Sequence, residues 1–167
     1  ATISHDKKTL IFAADRDGGQ GGSDLWMSRA LPNGGWSTPE NLGSVLNTSF
    51  DEDFPQLALN DQRLYFASVG HNSMGGYDLY YSDRDAATGQ WQKPVNLGYP
   101  VNTTDDNFQI SFTASGRYGY MAALRPEGYG NLDIYRVIFR DVKSSYTVLR
   151  GLLASRDSMN VFDVFRG

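Results

Sequence analysis

Apolar and polar positions alternate along this chain in short runs separated by glycine, proline, asparagine and aspartate, which predicts β-strands joined by tight turns. The runs also repeat. Thr9-Leu10-Ile11-Phe12-Ala13-Ala14 is answered by Arg63-Leu64-Tyr65-Phe66-Ala67-Ser68, and Gly22-Ser23-Asp24-Leu25-Trp26-Met27-Ser28 by Gly76-Tyr77-Asp78-Leu79-Tyr80-Tyr81-Ser82. Trp36, Asn41-Leu42-Gly43 and Asn47-Thr48 return as Trp91, Asn96-Leu97-Gly98 and Asn102-Thr103, so the offset is 54 residues early in the unit and 55 later. A third, partial copy runs Arg117-Tyr118-Gly119-Tyr120-Met121-Ala122, then Asn131-Leu132-Asp133-Ile134-Tyr135. A strand-only unit of this period points to the blades of a β-propeller.

The second copy reads as four antiparallel strands. Phe54 to Leu59 turns through Asn60-Asp61-Gln62 into Arg63 to Ser68, a glycine-rich loop from Val69 to Gly76 leads to Tyr77 to Ser82, and Thr88-Gly89-Gln90 turns toward a fourth strand around Trp91 to Leu97. The first copy has little of its opening strand, and Ala1-Thr2-Ile3 reads as the interior of one; the third lacks the Trp and Asn-Leu-Gly elements. The expected fold class is therefore all-β, a propeller of four-stranded blades with about three blades present. Rings usually have about four to eight blades, so further residues of a longer protein are expected to complete this one. Residues 1–140 form the partial propeller. The pattern changes near Asp141, and 141–167 reads as a linker and the start of a different module, with Tyr146 to Leu153 as its first strand.

Composition narrows the function classes. An apolar share of 40% over 167 residues is enough for a packed core. A net charge of −4 and a pI near 5.0 leave no basic stripe for phosphates, so nucleic acid is not an expected partner. No apolar run is long enough for a membrane-spanning helix. Without cysteine there are no disulfides, thiolate metal sites or cysteine nucleophiles.

Several segments invite chemistry. Gly70-His71-Asn72-Ser73-Met74-Gly75-Gly76 resembles the nucleophile elbow G-x-S-x-G, but His71 stands where the first glycine belongs and a strand, not a helix, is expected to follow. A structural loop is the simpler reading. Asp15-Arg16-Asp17-Gly18-Gly19-Gln20-Gly21-Gly22-Ser23-Asp24 suggests a calcium loop, yet Gly19 falls where EF-hand spacing requires an oxygen ligand, and Ser23 stands at the aspartate position of the G-G-x-G-x-D form of calcium-binding β-rolls. Asp24, Asp78 and Asp133 recur at the start of each third strand, as expected of carboxylates that accept N–H bonds from the preceding loop. Asp51-Glu52-Asp53 and Asp105-Asp106 precede the first strands of successive blades and can crowd one end of the ring, either as solvated loop charge or as a site for a cation or basic segment. Trp36, Trp91, Tyr80, Tyr81 and Tyr135 can stack on sugars, although aromatics repeating with the blade more often pack between blades. Asn47-Thr48-Ser49 and Asn102-Thr103-Thr104 match the N-glycosylation sequon, but their recurrence favours an Asx-type turn.

Taken together, Leu-Tyr-Phe-Ala-Ser, Met-Gly-Gly-Tyr-Asp-Leu-Tyr, Trp-x-x-Pro-x-Asn-Leu-Gly and x-Asn-Thr-x-x-Asp resemble the WD40-like PD40 repeats of OmpA-family proteins from Bacteroidetes, over roughly residues 1–140. That resemblance implies a six-bladed, TolB-like propeller followed by a carboxypeptidase-regulatory-like β-sandwich, which Tyr146 to Leu153 would open. It also implies a periplasmic, outer-membrane-associated protein. Peptidoglycan binding belongs to an OmpA-like domain that this chain does not contain. Some members of this architecture, the PorE-type proteins, serve type IX secretion and gliding. Asp157-Ser158-Met159 is similar to the short O-glycosylation motif of those bacteria.

The expected function is thus a non-enzymatic scaffold, without a cofactor or metal, that docks outer-membrane or secretion-system proteins; the alternatives are a glycan- or peptide-binding propeller and a propeller attached to a hydrolase. The loops Asp15 to Ser23, Val69 to Gly76 and Ala123 to Asn131 occupy equivalent positions and are expected on one face. Candidate partner-binding residues are Asp51, Glu52, Asp105, Asp106, Arg16, His71 and Tyr129.

Overall fold

The computed structural model describes residues 1–58, 61–113, 115–140, 153–155 and 158–162. The first repeat is a four-stranded antiparallel sheet of β1 (Thr2–Ile3), β2 (Thr9–Ala14), β3 (Asp24–Arg29) and β4 (Glu40–Asn41), in that spatial order. The second repeats it with β5 (Glu52–Ala58), β6 (Arg63–Ser68), β7 (Asp78–Asp83) and β8 (Val95–Asn96). Among the described residues the third sheet has three strands, β9 (Ile110–Phe112), β10 (Tyr118–Ala123) and β11 (Asp133–Ile138). A further antiparallel pair joins β12 (Leu153–Ser155) to β13 (Ser158–Phe162). The expected boundary near Asp141, most of the strand expected from Tyr146, and Asp157 lie outside the described residues.

Two boundaries differ from expectation. β5 begins at Glu52 rather than Phe54, because Glu52 and Asp53 already pair with Ser68 and Ala67. The fourth strands are only two residues long, and Trp36 and Trp91 contribute isolated bridges to Ala30 and Arg84 instead. Pro39 and Pro94 stand between each Trp and its strand and have no N–H with which to continue the ladder.

The third copy also has a register that residue matching misplaces. Ser68 pairs with Asp78 in the second sheet and Ala123 with Asp133 in the third, so Ser68 corresponds to Ala123 and Phe66 to Met121. This lies one residue beyond the match that equates Arg63 with Arg117. Because strand side chains alternate, the slip exchanges faces: Met121 is buried and Tyr120 is exposed.

Packing follows from that alternation. Every residue from Leu64 to Ser68 of β6 is buried, since the middle sheet is covered on both sides. Leu64, Phe66 and Tyr80 close on Ile11 and Leu25 of the first sheet and on Leu46, which follows it. Ala67 and Leu79 close on Ile110, Met121 and Ala123 of the third. Trp91 packs against the first cluster and Tyr135 against the second, as packing aromatics should, whereas Trp36 is exposed. Leu57 N–H donates to Thr2 Oγ1 at 3.2 Å, so the first strands of the two blades converge.

Candidate functional site at the blade junctions

The recurring polar residues form one hydrogen-bonded unit, used twice. Asp24 Oδ2 accepts from Gln20 N–H and from Asn41 Nδ2, Asn41 Oδ1 accepts from Gly43 N–H and Asn47 Nδ2, and the Asn47 amide pairs with both backbone groups of Leu25. Asp78, Asn96, Asn102 and Leu79 repeat the arrangement. In the third blade Asp133 accepts from Tyr129 N–H at 2.7 Å. The expected role of the three aspartates in holding the preceding loop is what the structure shows. The sequon asparagines Asn47 and Asn102 are not Asx turns, however: each is buried and pairs with a strand residue more than twenty positions away.

A second set of contacts joins each blade to the next. Ser23 N–H donates to Asp51 Oδ1 at 2.8 Å, and Tyr77 N–H donates to Asp106 Oδ1 at 2.9 Å. Glu52 N–H bonds to Ser23 O and Asn107 N–H to Tyr77 O, each at 2.6 Å. The loops reach this close because they carry glycine: a Cβ at Gly21 would overlap Phe50 O, and one at Gly75 would overlap Thr104 O. Two of the three loops expected to serve docking, Asp15 to Ser23 and Val69 to Gly76, are therefore partly committed to holding blades together.

The sequence candidates separate into different environments. Glu52 is fully buried, and its carboxylate accepts from Thr48 N–H, Thr48 Oγ1 and Ser68 Oγ at 2.7 Å each. Burial pushes its pKa up, with the opposing hydrogen bonds from Ser68 and Thr48 and the charge of His71 pulling the other way. A partner cannot reach it, which corrects its place among the docking residues. His71 is half-buried against Phe66 and Tyr80, and its Nε2 donates to Leu46 O at 2.9 Å. Ser73 Oγ donates to Val69 O, so the two residues of the nucleophile-like segment are each engaged elsewhere. Arg16 is exposed, with its guanidinium 5.6 Å from the Trp26 ring centroid. Tyr129 is fully exposed on the β10–β11 loop. Asp51 and Asp106 come together around Tyr77, and Asp105 is exposed beside them.

Around Tyr77 the structure assembles a patch across two blade junctions. Phe54 and Phe108 have centroids 5.5 Å apart and meet Tyr77 at 6.4 and 5.3 Å. Phe54 and Phe108 remain 42% and 41% exposed. Asp53 accepts from Tyr77 OH at 3.2 Å and from Ser23 Oγ at 3.1 Å. Desolvation raises the Tyr77 pKa, and the charges of Asp53 and Asp51 raise it further. Phe54 has a φ of 53° at the β-bulge between Asp53 and Gln56, which takes it out of the regular alternation of β5.

No family model and no curated protein matches this chain. Its fold is similar to the crystal structure of TolB from Acinetobacter baumannii, with a TM-score of 0.55 and 15% identity, covering 85% of this chain and 30% of that one. The fold is that of partial β-propeller blades. It spans about 30% of TolB, so the likeness describes the fold of the blades.

Residue reading found the propeller's acidic segments but missed Phe54, Tyr77 and Phe108 as a group. Phe54 and Tyr77 read as ordinary strand starts, and nothing in one blade's alternation shows that they meet the next blade. The signal present was the recurrence of phenylalanine just after each acidic segment, at Phe54 and Phe108. Among the described residues no group of three or more His, Cys, Asp or Glu is arranged to hold a metal, and no helix is long and apolar enough to cross a membrane.

Proposed function

We propose that this propeller is a non-enzymatic docking scaffold of a cell-envelope protein, and that the Phe54–Tyr77–Phe108 patch is its contact surface. The observation that carries this reading is the exposure of Phe54, at the bulge of β5, and Phe108, in the segment leading to β9, at a junction where other recurring residues are engaged in holding blades together. Aromatic side chains fixed by a stiff framework supply binding energy at little entropic cost and dominate many interfaces. The resemblance of the repeats to those of OmpA-family proteins supports a periplasmic, outer-membrane-associated setting, and within it a part in type IX secretion or gliding. Peptidoglycan would be reached through a domain outside this chain.

A second reading, ligand binding, is favoured by a cleft of about 1040 Å³ between the second and third blades, lined by Arg63, Tyr81, Arg125, Tyr135 and Arg140 among others. Aromatic faces and guanidinium donors suit an acidic glycan or peptide. Photo-reactive phenylalanine analogues placed at positions 54 and 108, compared with one at exposed Leu31, distinguish the two readings in native envelopes. Capture of the same protein from positions 54 and 108 and not from 31 supports docking. Absence of protein capture, with a glycan retained by the purified chain and lost on substitution of Arg125, replaces docking by ligand binding.

A further inference from the structure

We infer that the aromatic patch at Tyr77 receives a cationic side chain, an arginine or lysine on an extended basic segment of the docking partner. This rests on the docking reading and names the chemistry of what docks. The three rings are inclined to one another by 46° to 82°, so they form a corner that presents π faces rather than a flat stack. Four carboxylates surround or adjoin the corner. Asp53 and Asp106 are bonded to Tyr77 itself, Asp51 is held by Ser23 N–H, and Asp105 precedes Asp106 on the exposed segment. Among the described residues the ion pair present is Arg63–Asp83, which lies elsewhere, so none of the four carboxylates has a cationic partner there.

The rest of the protein shows what its aromatic faces ordinarily carry. Guanidinium groups lie over Trp26, Tyr81, Trp91 and Tyr135 at 4.1 to 5.9 Å from the ring centroids. Among the described residues no arginine covers Phe54, Tyr77 or Phe108, although Asp51, Asp53, Asp105 and Asp106 lie beside this corner. Ring quadrupole and carboxylates both attract a cation, and partial desolvation strengthens both. An apolar segment laid here would instead bury unpaired carboxylates, which is unfavourable. The left-handed backbone at Phe54 is consistent with a position held for its side chain, since a bulky residue there is strained and glycine would not be.

The test uses the whole chain and a fluorescent acetyl-Gly-Arg-Gly-Arg-Gly peptide, followed by anisotropy, with the citrulline peptide as its neutral isostere. The arginine peptide is expected to bind at least about tenfold more tightly than the citrulline peptide and to weaken as salt is raised. Phe54→Ala with Phe108→Ala should abolish binding. Asp51→Asn with Asp105→Asn, which removes two charges and keeps the Asp51 oxygen that accepts from Ser23 N–H, should weaken it while thermal melts stay close to wild type. Equal affinity for the two peptides, insensitivity to salt, or displacement by a neutral oligosaccharide would overturn the inference. Photo-capture of a protein at positions 54 and 108 together with any of these results leaves docking standing and removes the cation. Loss of both capture and peptide binding removes both.

Discussion

The side-chain amide of Asn102 pairs with the backbone of Leu79 as another strand would, accepting from its N–H at 2.9 Å and donating to its C=O at 2.8 Å. Asn47 does the same to Leu25 one blade earlier. The amide thus extends each third strand's ladder at the point where the short fourth strand has ended. Asn102→Ala leaves the buried Leu79 N–H without a partner, at about 1–3 kcal/mol, while the Leu79 carbonyl keeps the Leu97 N–H. Chemical denaturation should show a lower midpoint with an unchanged slope. Asn102→Asp should be worse than its size suggests, because a carboxylate then faces the Leu79 carbonyl.

The same asparagines lie in sequons but are 1% and 0% exposed. When the chain is secreted from a glycosylating host, the folded fraction should carry no glycan at Asn47 or Asn102. Peptide mass spectrometry of soluble material checks this, and occupancy at either site would contradict the burial.

Glu52 makes stability depend on pH in a direction opposite to that of most paired carboxylates. Burial raises its pKa in the folded state, so the protonated form is the favoured one. Its contribution is fully present below the ordinary glutamate value and is lost as pH rises through the raised folded-state value. Asn107 stands at the equivalent position and accepts from Thr103 N–H as Glu52 does from Thr48 N–H, so one acceptor oxygen there serves the turn without a charge, although the Asn107 Nδ2 has no partner among the described residues. Glu52→Gln should therefore melt above wild type at pH 8, with the difference disappearing or reversing near pH 4.

Gly75 and Gly130 occupy equivalent loop positions but have different surroundings. A Cβ at Gly75 meets the Thr104 carbonyl, whereas one at Gly130 meets nothing within 4 Å. Gly75→Ala should cost about 1–3 kcal/mol, and Gly130→Ala should stay within about 0.5 kcal/mol. Equal effects in denaturation would mean that the junction between the second and third blades is not as tight as described.

The fold was largely legible because each blade is specified locally. Alternation placed β2, β6, β3 and β7 within a residue, and the recurrence of Asp24, Asp78 and Asp133 showed that they anchor loops. What alternation cannot show is contact across a junction. It left Glu52 among exposed acids although Ser68 and Thr48 enclose it, and it read Phe54 as a strand start although its backbone leaves the strand conformation there. It also misplaced the third copy by one residue, because Tyr118, Tyr120 and Met121 are all plausible strand interiors and only the pairing of Ala123 with Asp133 fixes which face is inside.

The junction contacts follow chain order. The earlier segment supplies Ser23 or Tyr77, whose N–H and C=O meet Asp51 and Glu52, or Asp106 and Asn107, where the following blade opens. As the chain leaves the ribosome, the earlier segment of one blade is therefore complete before the opening of the next emerges, and each finished blade is a template for its successor. A blade moved out of order would present its opening segment before any loop existed to receive it.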